Sequence, residues 1–268
     1  MASGSVAEDT GLFGPDSMIW RVNRESAVAL AGSCAILMQF AHPAVAAGVR
    51  DHSNFEVDPA GRLLRTMDLT MAMVFGPRSA AIEAVRTVNR RHRAVRGPGY
   101  SAMDPQLLLW VQATLVYSAV TAYRAFVGPL TSVEADRYYQ ETKQIGLLLG
   151  IPRQRYPADI EAFAAYLDAM IDRGDVCVGQ DARRMGQIVM RPGFPGVPRM
   201  AFAPLTVITA GLLPTALREG YRFKWGRAQR AAFAACRAGM PHLVAIAPEP
   251  VRWLPPARDA YRRLRLAA

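Results

Sequence analysis

The residue with most chemical promise is an imidazole set into an apolar helical stripe. Across Pro77–Arg96 (PRSAAIEAVRTVNRRHRAVR), Ala81, Val85, Val88, His92 and Val95 recur at spacings of four, three, four and three. That is the period of one buried helix face. Arg86, Arg90, Arg91, Arg93 and Arg96 crowd its flanks. A neutral histidine projecting from a rigid helix into apolar space, ringed by cations, suits an iron porphyrin. The nitrogen takes the metal, the apolar wall takes the macrocycle, and the guanidinium groups take the two propionates. A core histidine hydrogen-bonded to a backbone carbonyl has the same spacing, so periodicity alone leaves both readings open.

A second group lies upstream, on the helix expected to start at Pro59. Arg62, Thr66, Leu69 and Met73 share a face there, with Arg65 at its edge. If that face points inward, its charges require an anion or polar ligand, because burying an unpaired charge is costly. If it is the solvated face, Leu63, Leu64, Met67 and Met71 form the buried one. Arg96, four residues beyond His92, either binds a carboxylate bidentately or sits at a solvated helix end. His42, before Pro43, reads as structural. Asp51-His52-Ser53 reads as a hydrogen-bonded loop or cap, and His242 as structural. No G-x-S-x-G elbow, P-loop or dinucleotide fingerprint is present, and no paired Glu-x-x-His for a di-iron bundle.

The elements that must position these groups read as helical throughout. One long apolar helix is expected from Trp20 to about Ala41, with Pro43 opening the next turn. Asp58-Pro59 caps a helix to Phe75, and Pro77 starts the His92 helix, which ends at Gly97-Pro98-Gly99. Asp104-Pro105 opens a helix to about Val127. Thr131 and Glu134 form a capping box for one closing at Gly150. Further helices are expected near 158–172, 182–190, 203–219, 225–239 and 257–266, with a proline-rich patch at 192–198. Strand and hairpin signals are nearly absent. The expectation is an all-α, single-domain multi-helix bundle over residues 11–268, preceded by a loose tail at 1–10.

Composition narrows the classes. The chain has 268 residues, 51% hydrophobic and 20% charged, with net charge +10, which is globular rather than disordered. All but two of its 32 basic residues are arginines. They are scattered over several helices without a zinc-finger or aromatic-basic sheet motif, which argues against nucleic-acid binding. Cys34, Cys177 and Cys236 lie far apart, arguing against a disulfide framework and for a reducing compartment. The N-terminus lacks a secretory pattern, so a cytoplasmic location is expected. The positive charge leaves a peripheral membrane contact open.

Three segments in order, LAGSCAILMQFAHPAVAAGVRDHS, DPAGRLLRTMD with VFGPRSAAIEAVRTVNRRHRAVRG, and YSAMDPQLLLWVQATLVYS, resemble the DUF2236 family. It groups the rubber oxygenases (latex clearing proteins) with the fungal oxygenase of mycophenolic acid biosynthesis. The resemblance implies an all-helical fold enclosing one haem b held by a single histidine, here His92. It implies distal roles for Arg62, Arg65 and Thr66, a propionate partner in Arg96, and a residue near the cofactor at Gln112. The sequence departs from the family at two of these. Arg65 replaces a lysine and stays protonated at any accessible pH; Gln112 replaces the histidine of WVHATL. The implied reaction is oxidation or cleavage of an apolar or aromatic small molecule by dioxygen, in a pocket lined by Met67, Leu69, Met73, Leu108 and Leu115. A peroxide-using enzyme on the same scaffold and a non-catalytic haem or gas-binding protein are the alternatives. Nothing here suggests export, so rubber is not the expected substrate, and the oligomeric state is not legible.

Overall fold

The computed structural model describes residues 11–53, 55, 58–191 and 202–267. The expected tail at 1–10 and the proline-rich patch lie outside them. Helices dominate: α1 (Met18–Asn23), α2 (Ser26–Ala29), α3 (Gly32–Phe40), α4 (Pro43–His52), α5 (Pro59–Phe75) and α6 (Arg78–Ala94). A two-residue antiparallel pair, β1 (Arg96–Gly97) and β2 (Tyr100–Ser101), follows. Then come α7 (Pro105–Phe126), α8 (Ser132–Leu149), α9 (Ile160–Asp172), α10 (Gln180–Met190), α11 (Ala203–Leu212) and α12 (Thr215–Gly220). The chain closes with α13 (Arg227–Ile246), α14 (Glu249–Arg252) and α15 (Pro255–Ala267). The molecule is mostly helical, as the periodicity requires.

The caps form where the sequence places them. Asp58 and Asp104 accept from backbone N–H groups of the first turns of α5 and α7, each with proline just inside. Thr131 and Glu134 complete a reciprocal capping box, and Gly150 closes α8 in the left-handed region at φ 102°.

Three expectations need correction. The segment expected as one helix from Trp20 to Ala41 is broken into α1, α2 and α3. Glu25 leaves helical geometry to bridge Trp253, a tertiary contact overriding local propensity. The helix expected to stop near 239 runs through Pro241 to Ile246. The carbonyl that Pro241 leaves without its usual donor belongs to exposed Arg237, where water can satisfy it. The 203–219 helix splits at Leu213-Pro214 into α11 and α12.

The spine is α7, which packs against α2, α3, α8 and α13. Its Trp110 is fully buried and donates its indole N–H to the carbonyl of Met38, 3.2 Å away. Trp20 donates likewise to Val74 (2.8 Å), and the Tyr221 hydroxyl to Leu37 (2.6 Å). Each buries an aromatic ring while keeping its polar tip satisfied. One apolar cluster reaches from Phe13 to Ala260. Among the described residues no single helix is long and apolar enough to cross a membrane; Ser26–Phe40 and Pro43–His52 pass that test only as a pair, bent by 103°.

Candidate functional site

The site forms at the open end of an antiparallel hairpin. Gly76 ends α5 and Pro77 turns the chain into α6, so the C-terminal part of α5 meets the N-terminal part of α6. At that closed end Met73 packs with Ala84 and Val85, joined by Leu69, Ala72, Val88 and, from α8, Ile145 and Leu149. Continuing along this register brings the N-terminal half of α5 opposite the C-terminal half of α6. There Arg62 approaches His92.

The stripe predicted for α6 is present. Ala81 and Val85 are buried, while Val88, His92 and Val95 are half-buried. His92 Nδ1 is shielded from solvent and has no hydrogen-bond partner, and neither ring nitrogen is bonded among the described residues. The backbone-carbonyl alternative for this ring is therefore not what the structure contains. Burial, and then the Arg62 charge, hold its pKa below the usual histidine value of 6.5. The ring is neutral at pH 7, with a lone pair to give.

Arg62 is the inward-facing member of its group. It is half-buried, donates from Nη1 to the Ser53 hydroxyl, and lies 5.8 Å from the Phe55 ring centroid. It forms no ion pair with any described carboxylate. Burial lowers its pKa first, and the neighbouring Arg65 charge adds to this. Arg65 and Thr66 face outward, so the face divides between the inward and the solvated readings left open by the sequence. Arg65 is 56% exposed and pairs with Asp58 at 3.1 Å, while exposed Thr66 donates to the Arg62 carbonyl at 2.9 Å. The cause is the N-cap. Asp58 must turn to the first turn of α5 to accept from Gly61 (2.8 Å), and its second oxygen draws Arg65 to the outer surface.

The end of α4 touches both sides of the hairpin. His52 Nε2 lies 3.0 Å from the Arg96 carbonyl, and Ser53 accepts from Arg62. Asp51 accepts from the Tyr100 hydroxyl at 2.7 Å, fastening the β1–β2 turn. Sequence reasoning treated Asp51-His52-Ser53 as a local cap and passed over Phe55. Only the adjacency of Ser53 to the Pro59 helix hinted otherwise. The Arg96 side chain is exposed and makes no ion pair or hydrogen bond among the described residues.

Gln112 stands apart. Its amide donates to the Thr142 carbonyl at 2.6 Å and accepts from the Tyr156 hydroxyl. A Cβ on Gly146 would lie 1.9 Å from Gln112 Oε1, so glycine there makes room for this junction of α7, α8 and Tyr156. Gln112 is committed to packing helices, not to the His92 ring. The expected apolar lining also divides: Met67 packs against the main core, Leu69 and Met73 lie in the hairpin, and Leu108 packs with Leu109 and Ile151. Leu115 is 41% exposed.

Among the described residues no three His, Cys, Asp or Glu side chains gather to hold a metal ion. A porphyrin iron needs only one protein nitrogen, and His92, with its ring unbonded and the Arg62 guanidinium in no ion pair among the described residues, fits that requirement. The buried Cys34 thiol is pushed up to about 12 by desolvation, so it supplies no thiolate.

The lowered histidine pKa has a measurable consequence. The unfolded chain binds protons near pH 6.5 that the folded His92 and His42 refuse. Their neutral burial therefore contributes stability that is complete above that value and is lost as pH falls toward the folded-state pKa. Urea unfolding of the haem-free protein between pH 7 and pH 5 should show this decline. Arg62→Met should flatten it by relieving one cause of the His92 shift.

A family profile described as ER-bound oxygenase mpaB/B'/Rubber oxygenase, catalytic domain, matches residues 20–242. Two curated relatives, the uncharacterized proteins Mb2261 of Mycobacterium bovis and Rv2237 of Mycobacterium tuberculosis, are each 30% identical over 211 residues. The alignments cover 74% of this chain and 81% of each relative. No solved structure matches. The matched span contains α5, α6 and the whole of the His92 site, and the chain belongs to the mpaB/rubber-oxygenase catalytic-domain family, a family of oxygenases.

Proposed function

We propose that this protein is a haem b-dependent oxygenase whose iron is held by His92 and which uses dioxygen to oxidise or cleave an apolar or aromatic small molecule. The observation that carries this reading is the His92 ring: neutral, on an apolar stripe, with Nδ1 buried and neither nitrogen bonded among the described residues. A buried nitrogen left unpaired costs roughly 1–3 kcal/mol, a cost that coordination would remove.

Bound there, haem supplies an iron position at which dioxygen is activated. The chain supplies the setting. Val88, one turn before His92 on the same stripe, and Leu69, packed with it against Met73, Ala84 and Val85, would keep water from that side of the ring. Arg62, steadied by Ser53 and the Phe55 ring, keeps most of its N–H donors unspent for a polar oxygen at the site. Arg96, exposed and without an ion pair or side-chain hydrogen bond among the described residues, would meet a propionate. Arg65 and Thr66 act at one remove, through the cap and the α5 backbone. The same Arg62 donors suit peroxide, which makes a peroxidase or peroxygenase the second reading.

The test is reconstitution with haem, followed by oxygen uptake and product analysis against a panel of alkenes and aromatics, with hydrogen peroxide in parallel. Turnover with dioxygen supports the oxygenase. Turnover with peroxide alone moves the assignment to the second reading. Tight carbon monoxide binding without either turnover would make the protein a haem or gas carrier and overturn both.

A further inference from the structure

A cavity of about 520 Å³ opens beside the turn between α12 and α13, lined by Thr215, Arg218, Glu219, Phe223, Trp225 and Arg230. Its volume falls in the range of small-molecule sites, roughly 300–1,000 Å³. None of these residues belongs to the His92 site.

The walls combine fixed cationic charge with flat apolar surface. Arg218 is held from behind. Its Nη1 donates to the carbonyls of Ala210 (3.2 Å) and Leu213 (3.4 Å), its Nη2 donates to the Thr215 hydroxyl (3.0 Å), and its guanidinium lies 4.7 Å from the Trp225 ring centroid. Those contacts orient the group without neutralising it. No described carboxylate comes within ion-pair distance of Arg218, although Glu219 is on the same wall. The Arg230 side chain, exposed on the first turns of α13, has neither an ion pair nor a hydrogen bond among the described residues. Two guanidinium groups thus border one hollow, neither in an ion pair among the described residues.

The apolar half is equally fixed. Tyr221 is buried and stacks on Phe223, with centroids 5.1 Å apart and planes 4° from parallel. Phe223 therefore meets the cavity with its opposite face or its edge. Trp225 is braced by Phe233, 5.9 Å away. The chain reaches this arrangement through Arg222, the one non-glycine residue with positive φ (57°) among those described. Such a conformation is uncommon for a residue with a side chain. Arg222 closes α12 through its N–H to the Glu219 carbonyl at 2.8 Å, and turns Phe223 onto Tyr221.

We propose that this cavity is a second binding site, taking a small planar aromatic molecule that carries one carboxylate. The aromatic plane packs on Phe223 and Trp225, and the carboxylate meets Arg230 and the outward edge of Arg218. Glu219 selects against a second anionic group. The site stands independently of the haem reading.

The experiment is calorimetric titration of the full chain with 1-naphthoate, the neutral 1-naphthamide and inorganic phosphate, with the Trp225 indole followed by NMR. We expect naphthoate to bind at least tenfold tighter than naphthamide and to shift the Trp225 resonance. Arg230→Met should weaken it at least fivefold with unchanged circular dichroism, because that side chain is exposed and makes no hydrogen bond or ion pair among the described residues. His92→Ala should bind naphthoate as the parent does, which separates this site from the haem pocket. Equal binding of acid and amide, phosphate binding as tight as naphthoate, or an unchanged Arg230→Met affinity would each overturn the proposal. Loss of binding in His92→Ala with Trp225 unshifted would place the ligand elsewhere and overturn it too.

Discussion

Replacing His92 by alanine should leave a folded helical protein that no longer retains stoichiometric haem. Removing an outer-shell partner of a metal site commonly costs 10–100-fold in affinity, so loss of the proposed iron ligand should lower haem affinity by at least about that factor. The apo protein should not suffer. The ring deleted is half-buried, unbonded among the described residues, and held neutral by its own burial, and removing an unsatisfied buried polar group carries little cost. The expected pattern is an intact far-ultraviolet circular dichroism spectrum, an unchanged or slightly raised melting temperature without haem, and loss of the porphyrin absorption after gel filtration. Added imidazole should restore part of it by refilling the vacated position. Full haem content in the variant would refute the assignment.

Glu25→Ala should produce the largest loss of stability of any single removal of a described charge. Glu25 is 1% exposed and receives two bonds from Arg252, at 2.8 and 3.1 Å, with Arg24 at 3.3 Å. Arg24 in turn stacks 4.3 Å from the Trp253 ring centroid, and its carbonyl accepts from Leu254 at 2.8 Å. One carboxylate thus ties the break between α1 and α2 to the segment joining α14 and α15. Removing one partner of a buried pair strands the other, at roughly 3–5 kcal/mol. The Arg252 side chain keeps 30% exposure, which places the expectation near the lower end. At about 2–4 °C per kcal/mol for a chain of this size, the melting temperature should fall by roughly 6–12 °C. A fall of less than about 2 °C would mean that water replaces the carboxylate freely.

How much of this was legible beforehand differs by residue. The α6 stripe, with His92 in it, was readable because a helix that buries one face repeats every 3.6 residues whatever it packs against. The caps at Asp58, Asp104 and Thr131 were readable for a similar reason, since a cap satisfies donors within its own first turn. The inward turn of Arg62 against the outward turn of Arg65 was not. The two lie three residues apart, and Asp58, seven residues before Arg65, decides which is drawn to the surface.

Local sequence, then, determined the helical architecture, the ends of most helices and the candidate imidazole, because each depends on hydrogen bonds and periodicity spanning a few residues. Tertiary structure alone decided the break at Glu25, the packing role of Gln112 and the convergence of His52 and Ser53 on the His92 hairpin. Those outcomes rest on partners up to 227 residues away, and a carboxylate, amide or imidazole carries no local mark of the distant group that will satisfy it.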